Sequence, residues 1–470
     1  MAAGLAAPQT QPLQAHVTVD TRKVLYEVAP DAHGTNFVAL WNDTGDSAGA
    51  VRAFSQMGLG LLRFPGGVPA QWYDWREPLA SGLTELTPER AWKLAQAGGA
   101  RMIFQTNAAN SEGGVNERTG KPYKFDNSAA HQAEWASSSR AKGIGVAFWE
   151  IGNEPEMDAP KALKADQAAV YAWYNKVFEQ QARAIKRVDP QARVLGPAST
   201  NTWYWWHEGN LAKFLEAHGN RHGTGLVDAV SLHWYPGGGD GPWETRRGEA
   251  QGWAECMKFV RGVMEANDSR KLPVYVTEWN WGAGDKNTSG RKLSNALGCA
   301  DSVGMFLRTG VAGHTHFCLQ KIDRGWGVLA MKGDSRPPDR PSPTYFALAL
   351  AARLHGRILD VTSDADPKNV LSVYGAQTAD GTLRVLFINK SGDPIEAGLS
   401  LAGEALARSR SRALVETLEG IAGDVDDEDV IFNGVRSPNP ARDDLPKPKT
   451  EPARSTWSLP PYSLTLIAFP

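Results

Sequence analysis

The chain has 470 residues, more than one compact core readily holds, so two domains are expected. Its 50 basic and 52 acidic residues nearly cancel, which leaves no electrostatic footprint for a nucleic-acid partner. No stretch is long and apolar enough to span a bilayer. The 3 cysteines, Cys256, Cys299 and Cys318, are too scattered for a disulfide framework or a zinc site.

Residues 1–15 are alanine-rich and lack a basic n-region, so no complete signal peptide is visible. Read as the remnant of one, they imply a secreted or periplasmic protein, with the cytoplasm as the alternative. Residues 16–28 alternate through Val17, Val19, Val24, Tyr26 and Val28 as one or two strands. Residues 1–30 thus form an N-terminal segment whose strands are expected to join a distant sheet.

Eight short apolar runs follow, most of them separated by helical stretches: 34–40, 61–64, 101–106, 146–154, 193–197, 229–235, 274–279 and 314–320. Strand–helix alternation repeated in this way predicts a (β/α)8 TIM barrel over residues 31–356. The clearest helix is 168–188, with Val170, Trp173, Val177 and Ile185 near helical spacing and Pro190 as its stop. Beyond residue 356 the pattern changes to short strands and tight turns, such as Asp380-Gly381 between 370–377 and 383–389. Residues 357–470 therefore read as a β-sandwich domain. The acidic run 424–429 lacks EF-hand spacing and reads as a solvated loop.

Two strand ends carry chemistry. Strand four closes as Trp149-Glu150-Ile151-Gly152-Asn153-Glu154-Pro155, and strand seven as Val274-Tyr275-Val276-Thr277-Glu278-Trp279. Parallel barrels place their active sites at the C-terminal ends of strands. Side chains alternate along a strand, so Glu150, Gly152 and Glu154 share one face and Val274, Val276 and Glu278 another. Asn153 has the wrong parity, and only a bulge or the strand's end can turn it inward. Ser231, His233 and Tyr235 share a face, as do His314, His316, Cys318 and Gln320; together they would make a polar barrel mouth. Glycoside hydrolysis needs one carboxyl to protonate the leaving oxygen and a second to attack or to activate water. Glu154 and Glu278 fit by type and position. Glu150, deeper in the barrel, reads as structural and paired with Arg63.

These motifs resemble clan A of the retaining glycoside hydrolases. Leu62-Arg63-Phe64-Pro65-Gly66-Gly67 with Tyr73-Asp74-Trp75 is similar to strand two of families 51 and 44. His233-Trp234-Tyr235-Pro236 resembles the strand-six motif, and Leu459-Pro460-Pro461-Tyr462-Ser463 the sandwich end of families 39, 51 and 79. The resemblance implies that Glu154 is the acid/base, Glu278 the nucleophile, and Asn153 a contact to the sugar 2-hydroxyl. It also implies that Tyr235 supports the nucleophile.

The expected substrate-binding set is Asn153, Arg63, His233, Tyr235, Trp205, Trp206, Trp279 and Trp326. Among 17 tryptophans, Trp203, Trp205 and Trp206 crowd one loop after strand five, and flat indoles suit sugar faces. Buried indoles are the competing reading. Lys321 and Arg324 could meet a uronic acid or be solvated loop charges. His314 and His316 lack partners at metal-ligand spacing and read as polar lining, so no metal and no cofactor are expected. The partner is a carbohydrate substrate, with no nucleic acid and no membrane; the oligomeric state is open. The expected activity is double-displacement hydrolysis of a β-linked glucan- or xylan-type polysaccharide or its oligosaccharides. An exo-acting α-L-arabinofuranosidase or β-glucuronidase is the alternative. A catalytically inactive carbohydrate-binding barrel is the rival from another class, and the presence of both glutamates weighs against it.

Overall fold

The computed structural model describes the chain apart from residues 1–10, 40–46, 79–85, 109–113, 116–121, 124–125, 161, 165, 201–209, 237–240, 283–287 and 403–410. A long strand, β1 (Leu13–Val28), precedes the first barrel strand, β2 (His33–Asn36). Then come β3 (Leu61–Phe64) and β4 (Arg101–Thr106), followed by a small ribbon of β5 (Gly114–Val115) and β6 (Pro122–Tyr123). The barrel continues with β7 (Val146–Ile151), β8 (Val194–Ser199), β9 (Ala229–Trp234), β10 (Val274–Trp279) and β11 (Gly313–His316). Eight of these strands close in the order β10-β11-β2-β3-β4-β7-β8-β9, every ladder parallel. This is the TIM barrel that the sequence predicts.

The strands are apolar on both faces because both are covered. Leu61, Ile103, Phe148, Leu195 and Ala229 fill the lower barrel interior, with Tyr275 packed against them. The outer faces meet helices such as Gln167–Val188, in which Val170, Tyr174, Phe178, Ala182 and Ile185 are buried at spacings of three and four. Asp166 caps that helix by accepting the Ala169 N–H at 3.1 Å. Pro190 ends it by forcing an extended residue before it.

A second sheet holds β12 (Gly356–Ser363), β13 (Leu371–Gln377), β14 (Leu383–Asn389), β15 (Ile395–Leu401) and β16 (Arg412–Gly420). Its remaining C-terminal strands are β17 (Val430–Phe432), β18 (Val435–Arg436), β19 (Lys449–Pro452), β20 (Thr456–Leu459) and β21 (Ser463–Phe469). β1 inserts between β12, antiparallel, and β15, parallel. The sandwich folds over its own core, including Val17, Val19, Phe387, Trp457 and Phe469. Gly381, at φ 85°, makes the turn between β13 and β14.

The acidic run is largely exposed, as a solvated loop should be, but it also makes ion pairs. Glu428 pairs with Arg291 at 3.1 Å, Asp429 with Arg336 at 3.2 Å and Asp426 with Lys292 at 3.2 Å. The sandwich thereby grips the start of the barrel helix Leu293–Arg308. Deeper in the same junction Lys390 Nζ meets Asp301 Oδ2 at 2.5 Å, both side chains buried. Among the described residues no helix is long and apolar enough to cross a membrane.

Candidate active site

Local backbone chemistry brings the two glutamates together. β7 is followed by Gly152, at φ 78°, and Glu154, at φ 36° and ψ 65°. These left-handed residues end the strand's alternation and let Asn153 and Glu154 both reach the interior. In β10 the alternation breaks differently. The register against β9 slips between Val276 and Glu278, so one extra residue, Thr277, is accommodated. Val274 and Val276 pack outward with the helices, whereas Glu278 faces inward. The shared face read from parity is thus incorrect for β10, and the bulge is the reason.

Arg63 organises the site from below. Its Nε donates to Glu150 Oε2 at 2.6 Å; Nη1 donates to Asn36 Oδ1 at 2.8 Å and Glu278 Oε2 at 3.0 Å. Nη2 donates to Asn153 Oδ1 at 3.1 Å and meets His233 Nε2 at 3.3 Å. A guanidinium has five N–H groups and no acceptor, so His233 Nε2 must accept. The His233 proton then sits on Nδ1, which donates to Glu154 Oε1 at 2.9 Å. Burial holds His233 down at about 4, neutral at pH 7.

Tyr235 donates its hydroxyl to Glu278 Oε1 at 2.6 Å. Burial, with the Glu154 charge adding to it, raises the Glu278 carboxyl, while Arg63 and the Tyr235 hydrogen bond pull it down. Glu154 is pushed up to about 7 by burial, Arg63 opposing. The two carboxyls therefore sit in different settings: Glu278 receives a cation and a phenol, Glu154 a neutral imidazole. Both remain reachable from the mouth, with 8% and 7% of Glu154 and Glu278 exposed.

A ring nitrogen of His233 and one carboxylate oxygen from each glutamate lie within 4.8 Å of one another. That span would suit a metal ion, but the Nδ1 proton facing Glu154 opposes one. Moving the proton to Nε2 would set two donors against each other at Arg63.

The other expected binding residues divide. Asn153 turns its amide oxygen to Arg63 and to Gln105 Nε2, each at 3.1 Å. Trp326 stands at the mouth, half-buried and edge-on to Tyr235 at 5.7 Å and to Phe317 at 5.4 Å. Arg63 is 0% exposed and saturated by protein acceptors, so it positions other groups and does not reach substrate. Trp279 is also 0% exposed; its Nε1 donates to His314 Nδ1 at 3.2 Å and its ring packs on Phe306. It belongs to the core and not to a sugar platform.

His314 and His316 lie on this same outer face, both in ring contact with Trp279, and do not line the mouth. Lys321 is paired with Asp334 at 3.1 Å. Trp203, Trp205 and Trp206 lie outside the described residues, as does the side chain of Arg324.

Sequence reading missed four contributors. Asn36 and Gln105 support Arg63, Asn153 and the backbone N–H of Gly67, the last at 3.0 Å. Each is a polar residue at the end of a buried strand, which is a usable signal. Gly67 comes so near that an added Cβ would lie 3.0 Å from Phe317 and 3.4 Å from Glu278 Oε2. Phe317 has no sequence signal separating it from ordinary core.

An eight-stranded parallel barrel with paired glutamates at the ends of β7 and β10, followed by a sandwich, is the layout of a glycosidase of the clan A type. Residues 143–297, which contain both glutamates, match Glycosyl hydrolases family 39. A beta-xylosidase of Caldicellulosiruptor saccharolyticus is 32% identical over 134 residues, 28% of this chain. That match spans only 25% of the relative's length. Among solved structures, the family 51 arabinofuranosidase of Xanthomonas axonopodis pv. citri superposes with a TM-score of 0.70 at 13% identity. It covers 97% of this chain and 100% of its own. A bifunctional glucanase-xylanase from a metagenome library gives 0.67 at 16% identity, covering 98% and 100%. The chain thus resembles clan A glycoside hydrolases of families 39 and 51.

Proposed function

We propose that the protein is a retaining O-glycoside hydrolase acting on β-linked glucan- or xylan-type polysaccharides or their oligosaccharides. The observation that carries this is the convergence of Glu154 and Glu278, with carboxylate oxygens within 4.8 Å across a desolvated mouth. Retaining enzymes hold their carboxyls roughly 5–5.5 Å apart, inverting ones roughly 6.5–9.5 Å, the wider gap admitting a water. The beta-xylosidase relative and the glucanase-xylanase neighbour favour the β-linked backbone.

In the first step Glu278, kept ionised by Arg63 and Tyr235, attacks the anomeric carbon. Glu154 donates its proton to the departing oxygen, and the C–O bond to the leaving group breaks. Because His233 Nδ1–H occupies Oε1 of Glu154, the acid proton resides on Oε2. In the second step the now anionic Glu154 takes a proton from water. That water attacks the anomeric carbon and releases Glu278. Asn153, fixed by Arg63 and Gln105, supplies a contact to the sugar, and Trp326 an aromatic wall.

The test is a panel of aryl β-xylosides, β-glucosides and α-L-arabinofuranosides, with the first-formed product anomer read by NMR. Retention on a β-xyloside or β-glucoside is expected. An inverted product, or turnover confined to arabinofuranosides, would refute the mechanism or the substrate class respectively.

A further inference from the structure

The turn that carries Glu154 holds a second carboxyl with no part in the steps above. Glu156 lies on the short helical turn Pro155–Asp158. Its Oε1 accepts the backbone N–H of Thr200, the residue that follows β8. Its Oε2 is shut off from solvent and has no hydrogen-bond partner among the described residues. Burial, and after it the Glu154 charge, push the group up to about 8. At pH 7 it is therefore mainly a neutral acid whose carbonyl oxygen accepts the Thr200 N–H.

Glu154 needs such support. A non-glycine residue with its backbone at φ 36° and ψ 65° occupies a conformation that costs roughly 1–3 kcal/mol and persists only where its surroundings impose it. Among the described residues two backbone N–H groups tie this turn to the end of β8: Glu154 N–H to Ala198 O at 2.9 Å, and Thr200 N–H to Glu156. They lie on either side of Pro155, which has no N–H to contribute. Loss of the second bond loosens the turn on the far side of Pro155, and relaxation toward ordinary φ would swing the Cα–Cβ bond of Glu154.

We propose that Glu156 is a positioning residue: its carboxyl, clamped to the Thr200 backbone, holds the left-handed turn at Glu154 and keeps that carboxyl aimed at the leaving oxygen. This role rests on the reading of Glu154 as the acid/base. It implies that losing Glu156 harms proton donation selectively, and that the neutral amide of Gln can replace it.

The experiment compares Glu156→Ala, Glu156→Gln and Glu154→Ala on aryl glycosides whose leaving groups run from dinitrophenyl to methylphenyl. Wild-type turnover with retention is established first; its failure would sink the glycosidase reading itself, before any variant is made. A misplacement of about 1 Å costs on the order of 100-fold, so Glu156→Ala should lose roughly 10- to 100-fold in kcat/KM on methylphenyl glycosides. On dinitrophenyl glycosides, which need little acid assistance, it should stay within about 3-fold. Glu156→Gln should recover most of the loss. Equal losses on both leaving groups, or no loss, would overturn the role. If Glu156→Ala does not fold, Glu156→Asp, which falls short of Thr200, must show the same leaving-group split, and its absence would overturn the role equally.

Discussion

Replacing Tyr235 by Phe removes one oxygen and one hydrogen bond, and its consequences can be worked through. The hydroxyl donates to Glu278 Oε1 at 2.6 Å, a short bond to a charged acceptor. Bonds of this kind contribute about 1.5–3 kcal/mol, and converting that range gives a loss of roughly 10- to 150-fold. The loss should fall on kcat, through the second step, where Glu278 regains its full negative charge as it leaves the sugar. The bond favours the ionised carboxyl, so its removal raises the Glu278 pKa. Since Glu278 must be ionised to attack, the acid limb of kcat/KM should move to higher pH. The ring itself stays in contact with Trp326, and the melting temperature should change little. The assay is a pH–rate profile on the best aryl glycoside, beside thermal unfolding of both proteins. An unchanged acid limb with unchanged kcat would refute the reasoning. A reduced kcat with an unmoved limb and a large loss of melting temperature would show a packing role in its place.

Azide separates the two glutamates: Glu278→Ala with azide should yield a glycosyl azide of inverted configuration, and Glu154→Ala on dinitrophenyl glycosides one of retained configuration. Product NMR reporting the opposite pairing would exchange the roles. Because Glu154 must be protonated and is pushed up to about 7 by burial, wild-type kcat/KM should fall as pH rises through about 7. That limb should vanish in Glu154→Ala on dinitrophenyl substrates; its persistence would assign it to another group. Trp326→Ala should raise KM by the equivalent of roughly 1–3 kcal/mol, the range for aromatic stacking. Trp279→Ala, a core deletion, should cost about 3–5 kcal/mol of stability, and unchanged unfolding would contradict its burial. Burial holds His33 near 4 and His316 near 3, below the ordinary 6.5. The unfolded chain therefore binds more protons between those values. The contribution of these two histidines should be full above pH 6.5 and decline toward pH 4, by about 3 kcal/mol for His33 alone, while the raised Glu154 and Glu156 carboxyls act with the opposite slope up to about 7 and 8. The check is the melting-temperature difference between wild type and His33→Phe from pH 8 to pH 4; a difference that does not change with pH would refute this.

The barrel was legible because parallel strands buried on both faces are written as short apolar runs between helices. Five of the eight expected runs match their strands within two residues at either end, whereas 34–40, 146–154 and 314–320 extend past the ends of β2 at Asn36, β7 at Ile151 and β11 at His316. The site was legible where chemistry and strand position coincide, as at Glu154, His233 and Tyr235. It was not legible where a bulge intervenes. Thr277 looks like any strand residue, yet its insertion turns Glu278 inward and leaves Val276 outward. The type of residue and the strand end still pointed to Glu278, although the parity behind it was wrong. His314, His316 and Trp279 show the converse. Their types suggest a mouth, but Trp279 and His314 satisfy each other in the outer layer, where His33 Nδ1 meets His314 Nε2 and its Nε2 meets Leu354 O, both at 3.0 Å, while His316 only packs its ring on Trp279.

Arg63 explains why so many polar groups can share a nearly dry site. Its five N–H groups meet five acceptors on β2, β7, β9 and β10 and on the turn after β7. Each bond fixes something the reaction needs: the rotamer of Glu278, the amide orientation of Asn153 and the tautomer of His233. The tautomer then determines which Glu154 oxygen holds the proton. One cation cannot balance Glu150, Glu278 and Glu154 as three anions. Glu150 and Glu278 accept from the guanidinium directly, whereas Glu154 faces only a neutral imidazole. The carboxyl without direct contact to the cation is the one best placed to stay protonated, and it stands at the strand end where a leaving group would be. Acid and nucleophile are thus distinguished by how a single buried arginine distributes its donors.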